Sequence, residues 1–285
     1  MNSKEFIKEI SKLNDKELIN DYIEFMKYQE IAWEILEEFI NICEIEKIPY
    51  QLAYGSLLGA IRDQGQIPWD YDIDVFVPYK YRNKLINFLR DNLNKKYYID
   101  CIETNKNYDS FIVRMSQVNF SSEVLHVDIF FLIGTDSKKE KRLIHQKRIK
   151  KLYLQRYYKY FDPIFSSKGY VKRMIKYCIF KFIGQFVRSY KNIEQFKKEC
   201  LKYDIYSSEY LITADRFVFD YILKKEMLET IKIKIKNKEI CIPKNYDSVL
   251  KEIYGDYMKI PSLSKRINEF KNYLKIIREN INYKI

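Results

Sequence analysis

Three features of this 285-residue chain predict an α+β fold, a sheet with flanking helices and an added helical, basic segment. Residues 3–47 and 80–95 repeat apolar side chains at helical spacing. Short runs near 73–77 and between 97 and 133 alternate in the period of a strand. Residues 138–203 hold twenty Lys/Arg against four Asp/Glu, net +16, so the remainder of a chain of net +12 is slightly acidic. Helices come early and strands cluster late in the central region, which is why the fold is read as α+β.

In order, residues 3–47 read as two helices. Ile31, Ile35, Phe39 and Ile42 line one side of the second, and Pro49 marks its exit. An apolar run from Gln51 to Tyr54 stops at Gly55-Ser56, where Ser56 can cap a short helix carrying Leu57, Leu58, Ala60 and Ile61. Gly65 and Pro68 end that helix. A strand with Ile73, Val75 and Val77 toward the core follows, and Asp72 and Asp74 project from its other face. The helix at 80–95 places Leu85, Phe88, Leu89 and Leu93 on one side, and strands are expected at 97–102, 111–118 and 124–133. The basic stretch reads as two or more amphipathic helices separated around Asp162-Pro163 and Gly169. A hairpin of Ile231–Ile235 with Glu239–Ile242 and a helix that breaks at Gly255 complete the pattern.

The chemistry concentrates between Tyr50 and Tyr79. Two carboxylates held on one face of a strand repel each other unless a cation sits between them. A hard divalent ion, Mg2+ or Mn2+, takes such ligands together with water and substrate phosphate oxygens. Asp70 stands beside the pair, and it serves equally as a general base, as a third ligand or as an anchor for Arg62. Trp69 and Tyr54 are either core residues or stacking surfaces for a base or a quaternary ammonium. Arg114, in an apolar strand, either pairs with a structural acid or holds a phosphate with its two-pronged donor.

The string YGSLLGAIRDQGQIPWDYDID resembles the signature of the LicD family of phosphotransferases, shared with fukutin-like proteins, and the Gly-Ser turn before a DxD strand looks like the nucleotidyltransferase fold. The order IPKNYD, helix, YGDYM, Pro261 is also similar to that family's C-terminal motif, so the likeness spans 48–135 and 210–262. The resemblance implies one LicD-like domain over 1–285: N-terminal helices (1–47), a nucleotidyltransferase-like mixed-sheet core (48–135), the basic segment (136–205) and a C-terminal strand–helix segment (206–285). It further implies that Asp128, in the strand Leu125–Phe131, joins Asp72 and Asp74 as the third metal-site carboxylate. Gly55 and Ser56 would meet the donor phosphates, with Arg62 and Arg114 as basic partners. The implied reaction moves a phosphorylated alcohol, typically phosphocholine from CDP-choline, onto a sugar of a cell-surface glycan such as capsule, teichoic acid or lipopolysaccharide.

Composition narrows the compartment. No apolar stretch of the N-terminus resembles a secretory signal, and Met174–Val187 is too short and too charged to span a bilayer. Five scattered cysteines fit reduced thiols in a cytoplasmic protein, and two histidines make a Cys/His zinc site improbable. The basic segment has three readings: a solvated face, a nucleic-acid grip, or contact with the anionic inner face of the plasma membrane, where a lipid-linked glycan acceptor would be met. No RNA-binding motif accompanies it, so no nucleic acid is expected. A nucleotidyltransferase placing NMP on a small molecule, protein or RNA is the alternative enzyme, and a non-catalytic scaffold the alternative from another class.

Overall fold

The computed structural model describes residues 1–160, 170–215 and 222–280. Helix α1 (Ser3–Ser11) begins with a capping box in which Asn2 accepts from the Glu5 N–H and Glu5 accepts from the Asn2 N–H. Helix α2 (Lys16–Ile45) starts at Asp15, whose carboxylate accepts from the Leu18 N–H at 2.9 Å. Its buried stripe includes Ile35, Phe39 and Ile42, as the spacing predicts. The chain then forms β1 (Gln51–Leu52), α3 (Tyr54–Leu58), a π-helical turn over 59–63, β2 (Ile73–Pro78) and α4 (Arg82–Asn92). Strands β3 (Tyr97–Asp100), β4 (Val113–Gln117) and β5 (Val127–Thr135) follow.

The basic segment contains three described helices, α5 (Lys139–Tyr160), α6 (Tyr170–Gly184) and α7 (Ser189–Cys200). The expected separation at Asp162-Pro163 and Gly169 lies outside the described residues. Strands β6 (Tyr210–Thr213) and β7 (Leu223–Lys224) and helix α9 (Leu263–Asn280) are additions that periodicity did not announce. The hairpin β8 (Thr230–Ile235) and β9 (Lys238–Pro243) and helix α8 (Tyr246–Tyr254), which ends at Gly255 with φ of 66°, agree with expectation.

The main sheet is mixed, with order β1-β2-β5-β4-β3, and β6 joins β5 and carries β7. Strand β2 runs parallel to β5, and the other described pairings are antiparallel. Contrary to a half-buried strand, β2 is buried on both faces from Val75 to Pro78. As a parallel pair at the sheet centre, β2 and β5 are covered on both sides, so Phe76 is as buried as Val75 and Val77. Asp128 lies in the central strand β5 and is buried.

Gly59 shows how tightly the loop after α3 is laid down. A Cβ there would come 2.6 Å from the Gly65 carbonyl oxygen and 2.8 Å from the Ile67 nitrogen, both backbone atoms. Gly59→Ala is expected to lower the unfolding free energy by about 1–3 kcal/mol in urea titrations. A variant as stable as the native chain would show that the 64–67 loop yields freely.

Candidate active site

The short β1 explains the position of Ser56. With only two residues in β1, the Asp74 peptide has no full ladder partner, and buried backbone groups must be paired. The Ser56 hydroxyl accepts from the Asp74 N–H at 2.8 Å, and the Ala53 N–H donates to the Asp74 carbonyl at 2.9 Å. Ser56 is therefore not a helix cap. Helix α3 starts two residues earlier, at Ala53-Tyr54, without a side-chain cap, and Ser56 instead locks the helix to the strand that carries Asp74.

Tyr54 enters α3 with φ of 41°, a left-handed conformation that costs a non-glycine residue on the order of 1 kcal/mol. Its ring is wedged between Phe76 (4.9 Å) and Phe130 (5.0 Å), which holds it there. Gly55 is required by close approach: a Cβ would lie 3.0 Å from Asp70 Oδ2. Gly55→Ala is expected to displace Asp70 and lower activity at least about tenfold at unchanged thermal stability. Activity equal to the native enzyme would show that the turn tolerates a methyl group.

Register brings the acids together. Asp74 pairs with Asp128 across β2–β5, Arg114 with Asp128 across β4–β5, and Asp100 with Arg114 across β3–β4. Side chains opposite one another across a sheet share a face, so Asp74, Asp128 and Arg114 form one row. The Arg114 Nε donates to Asp128 Oδ1 at 3.0 Å, and its Nη1 lies 2.6 Å from Glu123 Oε1. His126 Nε2 stands 3.3 Å from the same Asp128 oxygen. Of the two readings of Arg114, pairing with acids is the one the geometry displays.

The acids differ in character. Burial alone would raise the Asp128 carboxyl, but His126 and Arg114 beside it hold it well below the usual carboxylate range. Asp74 goes the opposite way: burial first, then repulsion from Asp72, Asp128, Asp70 and Asp215, pushes it well up. Asp70 is likewise raised by burial and by the neighbouring Asp72, while its Oδ1 accepts from the Tyr71 N–H at 3.0 Å. This crowd of acids destabilised by one another is chemically suited to a divalent cation. Among the described residues, no three His, Cys, Asp or Glu side chains already converge as a metal-binding group.

Arg62 pairs with Asp63. Its Nη2 lies 2.8 Å from Asp63 Oδ2, and its guanidinium stacks 5.5 Å from the Trp69 ring centre. Trp69 is buried against Phe6 and Arg266, so it is a core residue rather than a stacking surface.

Several residues around the acids were not foreseen. Asp215, just after β6, is buried, accepts from the Thr213 hydroxyl at 3.0 Å and contributes to the upward shift of Asp74. Its signal was modest, a short strand-like run, Tyr210-Leu211-Ile212-Thr213-Ala214, ending in an acid. Tyr254 on α8, though 41% exposed, and Tyr273 on α9 are raised by lost hydration at the hydroxyl and by Asp70, Asp72 and Asp74, and Tyr273 packs against Tyr71 at 4.6 Å between ring centres. Tyr254 lies in the YGDYM stretch, where the sequence pointed to a helix end rather than to the acids.

A family model described as LicD/FKTN/FKRP, nucleotidyltransferase domain, matches residues 47–165. That span contains Gly55, Ser56, Arg62, Asp70, Asp72, Asp74, Arg114 and Asp128, and stops short of the C-terminal IPKNYD–YGDYM region. The chain is also 26% identical over 255 residues to the lipopolysaccharide cholinephosphotransferase LicD of Haemophilus influenzae, covering 82% of this chain and 91% of that protein. The turn, the paired carboxylates and their register all fall within the matched span, so residues 47–165 carry a nucleotidyltransferase domain of the LicD/FKTN/FKRP type, and most of the chain is similar to a LicD phosphotransferase.

Proposed function

We propose that this enzyme transfers phosphocholine, carried by a CDP-activated donor, onto a sugar of a surface glycan, with lipopolysaccharide the acceptor class suggested by its relative. The observation that carries the reading is the cluster of mutually repelling acids: Asp70 against Gly55, Asp74 tied by its N–H to Ser56, Asp72 close enough to raise both, and Asp128 in register with Asp74 on the neighbouring strand. Phosphoryl transfer needs charge neutralised and partners aligned more than it needs covalent help from protein.

Asp72 and Asp74, with Asp128 adjacent, are the residues that would hold Mg2+ or Mn2+. Such an ion, when bound, neutralises phosphate charge and steadies the leaving group. The chain supplies the rest. The Ser56 and Ala53 clamps fix the Asp74 backbone, Arg114 anchors Asp128, and Gly55 leaves the turn bare enough for a phosphate to approach. Asp70, held by the Tyr71 N–H beside that turn, would receive the proton of the acceptor hydroxyl in this reading. Arg62, bound to Asp63, is assigned to support of the turn, with donor contact only on reorientation.

Incubating the protein with CDP-choline, CDP-glycerol, CTP, UTP and ATP in the presence of Mg2+ or Mn2+ tests the proposal. CMP release from a CDP-alcohol is the expected result. Pyrophosphate release from a nucleoside triphosphate, without CMP, would replace it with the nucleotidyltransferase reading. We further propose that the acceptor is lipid-linked and that the basic segment 138–203 keeps the enzyme close to an anionic leaflet.

A further inference from the structure

Not all of the twenty bases in 138–203 are surface charges. Arg142 donates to the Asp136 and Ser137 carbonyls, and Arg156, also buried, lies over Phe111 and Tyr160. Helices α5 and α7 bury a face in the body of the protein through Ile149, Leu152 and Phe196, the last stacked 3.6 Å from Phe111. Helix α6 behaves differently. It rests on α5 through Phe180, which meets Tyr158 at 4.4 Å, and through Gly184, where a Cβ would come 2.5 Å from the Lys159 Cα.

The opposite side of α6 is apolar and open. Ile175, Ile179, Phe182, Ile183 and, just beyond the helix, Phe186 are 57%, 51%, 65%, 41% and 73% exposed. At 100° per residue these five positions fall within a stripe about 100° wide. Single exposed apolar side chains are ordinary, but a continuous stripe marks a contact surface.

Charge identifies the partner. From Pro163 to Ile193 the sequence has seven Lys/Arg and no Asp or Glu. Two copies meeting through this stripe would bring like charges together, whereas anionic lipid headgroups would accept them. The helix has 15 residues, and no helix among the described residues is long and apolar enough to cross a membrane. A short helix with an apolar stripe and basic surroundings instead lies in the plane of the interface.

We propose that α6 is a membrane-docking helix, whose Ile175–Phe186 stripe enters the headgroup boundary of an anionic bilayer while neighbouring bases meet the lipid phosphates. This rests on the membrane-facing part of the proposed function, not on its transfer chemistry. The stripe separates it from plain electrostatic attraction: part of the binding should survive high salt.

The test is co-sedimentation of the full-length chain with phosphatidylcholine vesicles, with and without phosphatidylglycerol, at low and high salt. Binding is expected only with phosphatidylglycerol, weakened but not abolished by salt. Phe182→Ser with Phe186→Ser should lower partitioning at least ~10-fold without changing the melting temperature, since both rings are exposed. Emission of a Phe186→Trp variant should shift to the blue on adding anionic vesicles. Undiminished binding by the double variant, or an unshifted Phe186→Trp, overturns the proposal. So does a vesicle-free dimer in sedimentation that the same two changes dissolve, which would make a second copy the occupant. Vesicle binding is read without donor or acceptor, so a failure of the transfer reading would appear only in CMP release.

Discussion

Asp74→Asn, and separately Asp72→Asn, should lower CMP release from the donor at least ~100-fold while the fold persists. Electrostatic stabilisation of developing charge is usually the largest single contribution to such catalysis, and the proposed site gives these two carboxylates that role. Stability should move the other way or not at all. Asp74 sits among Asp70, Asp72, Asp128 and Asp215, and its carboxyl is raised by burial and by their repulsion. An uncharged amide relieves that repulsion, so urea unfolding should fall at the native midpoint or above it. Steady-state donor hydrolysis and urea titration on the same preparation decide the matter. Near-native turnover removes the residue from the site, and a joint loss of activity and stability makes it structural. EDTA should abolish activity and leave the melting temperature close to that of untreated protein, the result expected if the proposed ion serves the chemistry and not the core.

Arg114→Ala should behave in the opposite manner, costing about 3–5 kcal/mol of folding free energy. The guanidinium holds Asp128 at 3.0 Å and Glu123 at 2.6 Å in the row of side chains across β2, β5 and β4. Removing it leaves the Asp128 carboxylate buried without the arginine. Arg114→Lys keeps the charge but cannot span both acids with one planar group, so an intermediate loss is expected. Chemical denaturation of the two variants ranks them. If Arg114→Ala unfolds like the native chain yet no longer binds CDP-choline in calorimetry, the arginine is a donor ligand and the pairing with Asp128 is incidental.

The comparison of motif and structure is clearest at Ser56. A serine ahead of an apolar helical run is ordinarily read as a cap, because sequence spacing is local and the cap is the local solution. The competing partner, the Asp74 N–H, is eighteen residues away and becomes available only because β1 ends after two residues. Arg62 tells the same story. The sequence offered it as a basic partner of the donor phosphates, and what it could not show is that Asp63, its own neighbour, also bonds the guanidinium and Trp69 lies beside it. Asp128 was legible for a physical reason: a carboxylate amid a strongly apolar run must have a partner if the strand is buried. That its immediate partners are Arg114 and His126 could not be read from the run itself.

What the sequence determined by itself was everything carried by short-range periodicity and by chemistry at fixed spacing. That covers the N-terminal helices, the strands holding Asp74 and Asp128, the β8–β9 hairpin, the Gly-Ser turn followed by paired acids, and the excess of positive charge in 138–203. Tertiary structure alone decided how these meet. Parallel pairing of β2 with β5 set Asp74 beside Asp128, antiparallel pairing of β4 put Arg114 on the same row, and β6 added Asp215. It also decided which basic helices are buried and which present an apolar stripe, since α5 and α7 find partners in the body of the protein while α6, among the described residues, rests on α5. The reason is that strand register and helix docking depend on contacts between residues far apart in the chain, and those distances are invisible to a periodicity that repeats every two or every 3.6 residues.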